Sequence, residues 1–177
     1  MPCLLTSGRS VPCKSAVGGL KSIAFADYGT LGTATITSGE ITAFSELSIN
    51  WYQFDIKGAS SLDTAINSSR ENGTTFYETT VQMELTYLDV ATQEQIKLLA
   101  HARPHIAVED YNGNWFVVGL EHGAEVTAGN IVTGAAMGDK SGYSLTFIAQ
   151  ETNPPYFVNP VTVITDDISA TKIDPTA

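Results

Sequence analysis

Residues 105–123, HIAVEDYNGNWFVVGLEHG, constrain the fold more than any other stretch of this chain. Asn112-Gly113 stands between two apolar runs, the strongest short-range signal for a β-hairpin. A two-residue loop pairs Tyr111 with Asn114, Asp110 with Trp115, Val108 with Val117 and Ile106 with Gly119. Ile106, Val108, Trp115 and Val117 then share one face. Ala107, Phe116, Val118 and Leu120 share the other with Glu109. A ribbon on a solvated antiparallel sheet keeps one wet face. This one has none, so something must cover both sides.

Three arrangements would do so. The ribbon is the middle layer of a single-chain core, it lines a ligand groove, or a second copy of the chain shields its second face. The rest of the sequence bears on the choice.

LKSIAFADYG (20–29) has the character of a first strand, and ATITSGEITAF (34–44) of two short strands around Ser38-Gly39. INWYQFDI (49–56) is apolar or aromatic on both faces. Residues 57–75, KGASSLDTAINSSRENGTT, read as a long polar loop with few apolar side chains, among them Leu62 and Ile66. VQMELTYL (81–88) alternates, with Val81, Met83, Leu85 and Tyr87 inward. The one helix expected covers 92–103. Thr92 and Gln95 fit a capping box, Ile96, Leu99 and Ala100 form its apolar face, and Pro104 stops it. Residues 121–142 are rich in glycine and small side chains. YSLTFIA (143–149) alternates again, and VTVIT (161–165) has the composition of a last strand. Many short strands with one helix predict a mainly β protein: an antiparallel β-sandwich or barrel with a short packed helix, a long loop and extended terminal arms. Its parts are an arm at 1–19, a sandwich domain at 20–158 and a C-terminal strand or arm at 159–177.

Charge narrows the partners. Nine Lys and Arg against 19 Asp and Glu give a net charge of -10, which disfavours wrapping nucleic acid or lying on an anionic membrane. Only 16% of residues are charged, so Thr, Ser, Asn, Gly and Ala must form much of the surface. No run of 18 apolar residues and no basic-then-apolar leader is present, which predicts a chain made in a cytoplasm with Cys3 and Cys13 as free thiols.

Catalytic signals are weak. His101 and His105 have the spacing of a zinc pair, but Pro104 separates them and no cysteine lies near to complete a site. Asp110-Tyr111-Asn112-Gly113-Asn114 begins like a calcium loop, but its glycine comes too early and no closing glutamate follows, so it reads as a turn. Glu121, Glu125 and Asp139 read as solvated surface rather than an acid–base pair. No nucleophile elbow and no phosphate-binding glycine pattern appears. The expectation is a protein that is not an enzyme and uses no metal or cofactor.

The order strand, capped helix, N-G hairpin in VQMELTYLDVATQEQIKLLAHARPHIAVEDYNGNWFVVG resembles that of bacteriophage tail tube proteins. So does the following GLEHGAEVTAGNIVTGAAMGDKSGYSLTFIAQE, and GRSVPCKSAVGGLKSIAFADYG is similar to phage structural proteins. The likeness covers residues 8–30 and 80–158 and includes no invariant signature. It implies β-sandwiches with a flanking helix that assemble as hexameric rings. In such assemblies the inner sheets join into one barrel, and the rings stack through a long loop and terminal arms. DNA passes through the lumen without specific binding.

Here the likeness makes 57–75 the stacking loop and 1–19 and 159–177 the arms. The acidic balance suits a wall that repels phosphate. Partners would be further copies of the chain and other tail or connector proteins, assembled in a host cytoplasm and carried in the virion. Phe116, Val118, Leu120, Trp115, Leu62 and Ile66 are the side chains expected at the subunit interface. Two alternatives use the same features. One is a carbohydrate- or receptor-binding β-sandwich whose aromatic platform includes Trp51, Trp115 and the tyrosines. The other is a capsid decoration or head–tail connector protein.

Overall fold

A computed structural model describes residues 7–11, 13–46, 49–56 and 59–159. The chain is a β-sandwich with one helix. Its larger sheet has seven strands in the order β2 (Ala34–Thr37), β3 (Glu40–Phe44), β11 (Tyr156–Val158), β8 (Trp115–Val118), β7 (His105–Asp110), β1 (Leu20–Ala26) and β4 (Tyr52–Asp55). The smaller has four, β5 (Ser61–Ser69), β6 (Thr74–Thr86), β10 (Gly142–Glu151) and β9 (Glu125–Val132). Pairing is antiparallel except between β11 and β3, which run parallel.

The hairpin forms where the sequence places it, but one residue out of the expected register. Ile106 pairs with Val118, Ala107 with Val117, Val108 with Phe116 and Glu109 with Trp115. The loop has three residues instead of two. Asp110 N–H donates to Asn114 O, Gly113 N–H donates to Asp110 O, and Gly113 adopts φ +83°. This is the three-residue hairpin that ends on a left-handed glycine. Because side chains alternate across a strand, the slip redistributes the faces. Ile106, Val108, Phe116 and Val118 lie together, and Ala107, Trp115 and Val117 lie opposite.

Each face is covered by the chain itself. Ile106, Val108 and Val118 join the main core, which holds Val81, Met83 and Leu85 of β6 and Tyr143, Leu145 and Phe147 of β10. Ala107, Trp115 and Val117 join a second core with Leu31, Phe44, Ile49 and Trp51. The loops around β2 to β4 therefore supply a third layer behind the larger sheet. Of the three arrangements the ribbon permits, the structure takes the first. The expectation that Trp115 and Val118 need a second copy to bury them is overturned: they are 6% and 1% exposed within one chain.

Helix α1 (Val90–His101) starts two residues earlier than expected. Its N-cap is Asp89, whose Oδ2 accepts the Thr92 N–H at 2.8 Å. Thr92 is thus the residue being capped, not the cap. Aspartate is as good an N-cap as threonine, and φ -139° at Asp89 meets the extended geometry a cap requires. Ile96 is buried and Leu99 half-buried on the main core, while Ala100 faces solvent. The helix lies alongside β9.

The polar segment 57–75 is also corrected. Within its described part, residues 61–69 form β5, and after the turn at Arg70–Gly73 the chain enters β6. The inward positions of β5 are Leu62, Thr64, Ile66 and Ser68, so hydroxyls alternate there with apolar side chains. Thr64 pairs with Thr79 and Ser68 with Thr75 through their Oγ atoms, at 3.1 and 3.0 Å. The glycine-rich stretch 121–142 likewise holds a strand, β9. The expected strand at 161–165 and the arm beyond Asn159 lie outside the described residues.

Candidate assembly surface

The four-stranded sheet is built on one continuous apolar row. Leu62 pairs with Val81, Val81 with Phe147, and Phe147 with Val126, so the row runs across β5, β6, β10 and β9 from edge to edge. Its centre is dry, with Val81 and Phe147 both 0% exposed. Its two ends, Leu62 and Val126, are only half-buried because the sheet stops there. Among the described residues neither β5 nor β9 has a partner on its outer side. An edge strand displays unpaired N–H and C=O groups, and lysine or proline commonly blocks it. Neither edge here contains either residue.

Two isoleucines mark these edges. Ile66 on β5 is 67% exposed and Ile131 on β9 is 58% exposed. Both point toward the core side of the sheet, since Ile66 pairs with Tyr77 and Ile131 with the buried Tyr143. They are wet because nothing continues the sheet past them.

The opposite face of this sheet is uncharged or acidic. Thr80, Gln82, Ser144, Thr146 and Asn130 share it with Asp63, Glu78, Glu84 and Glu125. None of the four strands contains Lys or Arg. The cations that approach come from flanking segments: Lys140 bridges to Glu84, and Arg103 lies 3.8 Å from Glu125.

Of the expected interface residues, Leu62 and Ile66 fall on the β5 edge. Phe116 and Leu120 are half-buried on the two cores, and the Phe116 ring packs 4.6 Å from Phe157. Trp115 and Val118 are interior. The burial of Trp51 at 0% and Trp115 at 6% also removes both tryptophans from the proposed sugar platform. Ile131 and the β9 edge escaped the sequence reading. Their only signal was a Val126…Ile131-Val132 apolar set within small residues.

The histidines do not converge. His101 is exposed at the helix end, whereas His105 is 3% exposed with both ring nitrogens engaged. Nδ1 faces Gly119 O at 2.5 Å and Nε2 accepts Gly29 N–H at 3.0 Å. A carbonyl only accepts and an amide N–H only donates, so the proton sits on Nδ1. The Tyr28 ring stacks on the imidazole, and Arg103 lies over Tyr28.

The carboxylates have separate tasks. Glu121 accepts the Thr152 hydroxyl, and Glu125 faces Arg103. Asp139 accepts the N–H groups of Ala136 and Ala135, which hold its carboxyl below the ordinary value. Asp110 closes its turn by accepting from backbone and side-chain N–H groups of both Asn112 and Asn114. Burial opposes its ionisation, but these donors prevail and its carboxyl too lies below the ordinary value. Among the described residues no three His, Cys, Asp or Glu side chains gather in a way that could hold a metal, and no helix is long and apolar enough to cross a membrane. Cys13 is exposed, and Cys3 lies outside the described residues.

Compared with protein-family models, with curated proteins and with solved structures, the chain matches none.

Proposed function

We propose that this chain is a structural, self-assembling virion protein whose copies close side by side into rings, and whose rings stack into a tube that passes DNA. The single observation that carries the reading is that both outer strands of the four-stranded sheet, β5 and β9, lack a strand partner on their outer sides among the described residues and carry neither Lys nor Pro. Because β5, β6, β10 and β9 alternate in direction, the two edge strands run oppositely. Copies related by rotation therefore bring β9 of one against β5 of the next in antiparallel sense. Repetition closes a barrel with no edges left.

For the six copies implied by the tail tube resemblance, a spacing of ~4.8 Å per strand and a tilt of about 35–45° give a barrel about 45–52 Å across at the backbone. The face that carries Thr80, Gln82, Thr146 and Asn130, together with Ile148 and Phe76, would line it. Asp63 and Glu78, which are in no ion pair among the described residues, would repel duplex phosphates, while Glu84 and Glu125 are matched by Lys140 and Arg103. Closure with β9 and β5 overlapped along their length also removes Ile66 and Ile131 from water. That burial drives association, less the entropy lost on joining copies.

The test is particle size. Purified protein should give rings by mass photometry and negative-stain microscopy. Ile66→Lys and Ile131→Lys should each leave a folded monomer, since both positions are already exposed, and should abolish rings. A wild-type chain that stays a monodisperse monomer at high concentration overturns the reading.

A further inference from the structure

The sequence holds two Asn-Gly pairs, Asn72-Gly73 and Asn112-Gly113, each in the turn of a hairpin and each exposed. An Asn-Gly bond is where a protein chain most readily attacks itself. The glycine backbone nitrogen reaches the asparagine carboxamide carbon, because no Cβ on the glycine stands in its way. Exposure does not separate the two pairs. Nor does the glycine conformation, since Gly73 and Gly113 adopt φ +64° and +83°, and an added Cβ at either would meet no atom within 4 Å. Their hydrogen bonds do separate them.

At Asn112 both reacting groups are occupied. The carboxamide oxygen accepts the Val17 N–H, and the carboxamide nitrogen donates to the Val17 carbonyl and to Asp110 Oδ2. The attacking group, Gly113 N–H, is spent on Asp110 O at 3.2 Å. Ring closure here requires all of these bonds to break first.

At Asn72 only the backbone is held: its N–H donates to Ser69 Oγ at 3.3 Å. Among the described residues no hydrogen bond engages the Asn72 carboxamide or the Gly73 N–H. The turn also has less beneath it. The last row that β10 backs joins Tyr77 to Glu151, so the rows Asn67–Phe76, Ser68–Thr75 and Ser69–Thr74 are a bare two-stranded ribbon. Such a ribbon is marginal by itself, and its opening lets Asn72-Gly73 sample the backbone angles that attack requires.

We infer that Asn72 is a self-modification site, converted by its own chain to a mixture of aspartate and isoaspartate while Asn112 is spared. A base takes the Gly73 amide proton. The nitrogen bonds to Asn72 Cγ, the Cγ–Nδ2 bond breaks, and Nδ2 leaves as ammonia, its third proton coming from water. Water then opens the cyclic imide at either carbonyl. The net exchange is one water taken up and one ammonia released, with no oxidant or cofactor. Either product adds a negative charge beside Glu71, on a chain whose net charge is already -10. Opening at the main-chain carbonyl gives isoaspartate, which routes the backbone through Cβ and lengthens the Arg70–Gly73 turn by one carbon. This chemistry does not depend on assembly into rings.

The test holds the full, folded chain for days in mildly alkaline buffer and then digests it with trypsin. Lys97 lies between the two asparagines and puts them on separate peptides. Mass spectrometry, with fragmentation to place the change, should show amide-to-acid conversion at Asn72 as two separable products. It should run at least about tenfold faster than at Asn112, which must first break its several hydrogen bonds. In concentrated urea, where those bonds are gone, the two sites should convert at comparable rates. Asn72→Gln should keep the fold, since the position is exposed, and should lose both products, because closure then needs a larger ring. Equal rates in the folded chain, or conversion at Asn112 first, overturn the inference. A rate gap that persists in urea also overturns it, by tracing the difference to neighbouring sequence instead of to the clamped turn.

Discussion

The Asn112 carboxamide clasps the backbone of Val17 on both sides. Oδ1 accepts the Val17 N–H at 2.9 Å, and Nδ2 donates to the Val17 carbonyl at 2.7 Å. A side chain at a hairpin tip thus imitates a strand partner, and Tyr111 N–H adds a bond to Gly19 O at 3.3 Å. Asp110 orients the carboxamide by taking its second N–H, so one turn both ends the hairpin and fixes where the N-terminal segment leaves the domain.

Asn112→Ala removes both clasping bonds at an exposed site. At a net ~0.5–1.5 kcal/mol per hydrogen bond, global stability should fall by about 1–3 kcal/mol. Hydrogen exchange should respond more strongly and more locally. The Val17 amide should lose protection while those of Ile106 and Val108 keep theirs. Unchanged exchange at Val17 would show that the clasp does not hold the segment.

His105 makes stability depend on pH. Burial holds its imidazole below the ordinary value, outweighing the Gly119 carbonyl and the Glu151 carboxylate, which both favour the charged ring. Protonation would place a second N–H on Nε2, against the Gly29 N–H that now donates there. The unfolded chain therefore binds this proton more readily than the folded one. The contribution is fully present above the unfolded value near 6.5 and declines as pH falls from there toward the lower folded value. Urea unfolding should show stability decreasing from pH 7.5 to pH 5. In His105→Gln that part of the slope should vanish, whatever the variant's absolute stability.

The identity of the helix cap can be read from two substitutions. Asp89→Ala should cost about 1 kcal/mol, and Asp89→Asn much less, because asparagine caps equally well. Thr92→Ala keeps the N–H that Asp89 accepts and should cost under about 0.5 kcal/mol, the range of an ordinary surface change. Equal losses at the two positions would restore the capping box read from the sequence.

How much of this was legible beforehand follows from what periodicity reports. VQMELTYL and YSLTFIA alternate because each has one face on the main core, and both lie in strands with Val81, Met83, Leu145 and Phe147 inward, but β6 ends at Thr86 and Tyr87, expected inward, is exposed at φ +75°. β5 was invisible for the complementary reason. Hydroxyls at the inward positions Thr64 and Ser68 interrupt Leu62 and Ile66, and hydroxyl pairs across strands leave no apolar rhythm. β9 was hidden by small side chains, which an open edge tolerates. The edge residues Leu62 and Ile66 were named for a contact between copies without a strand to carry them.

The chain by itself determined its class, the site of its central hairpin and the poverty of positive charge on its smaller sheet, because composition and alternation are local properties. Only the tertiary structure decided which residues share a face and what covers them. Gly113, in its left-handed conformation, added one residue to the loop and so shifted the hairpin register by one, moving Phe116 from Glu109 to Val108 and Val117 from Val108 to Ala107. Loops far away in sequence, through Leu31, Ile49 and Trp51, then buried the face that alternation had left open. A pattern of apolar positions states that burial is required, and the identity of the neighbour is settled only when distant segments compete for the same surface.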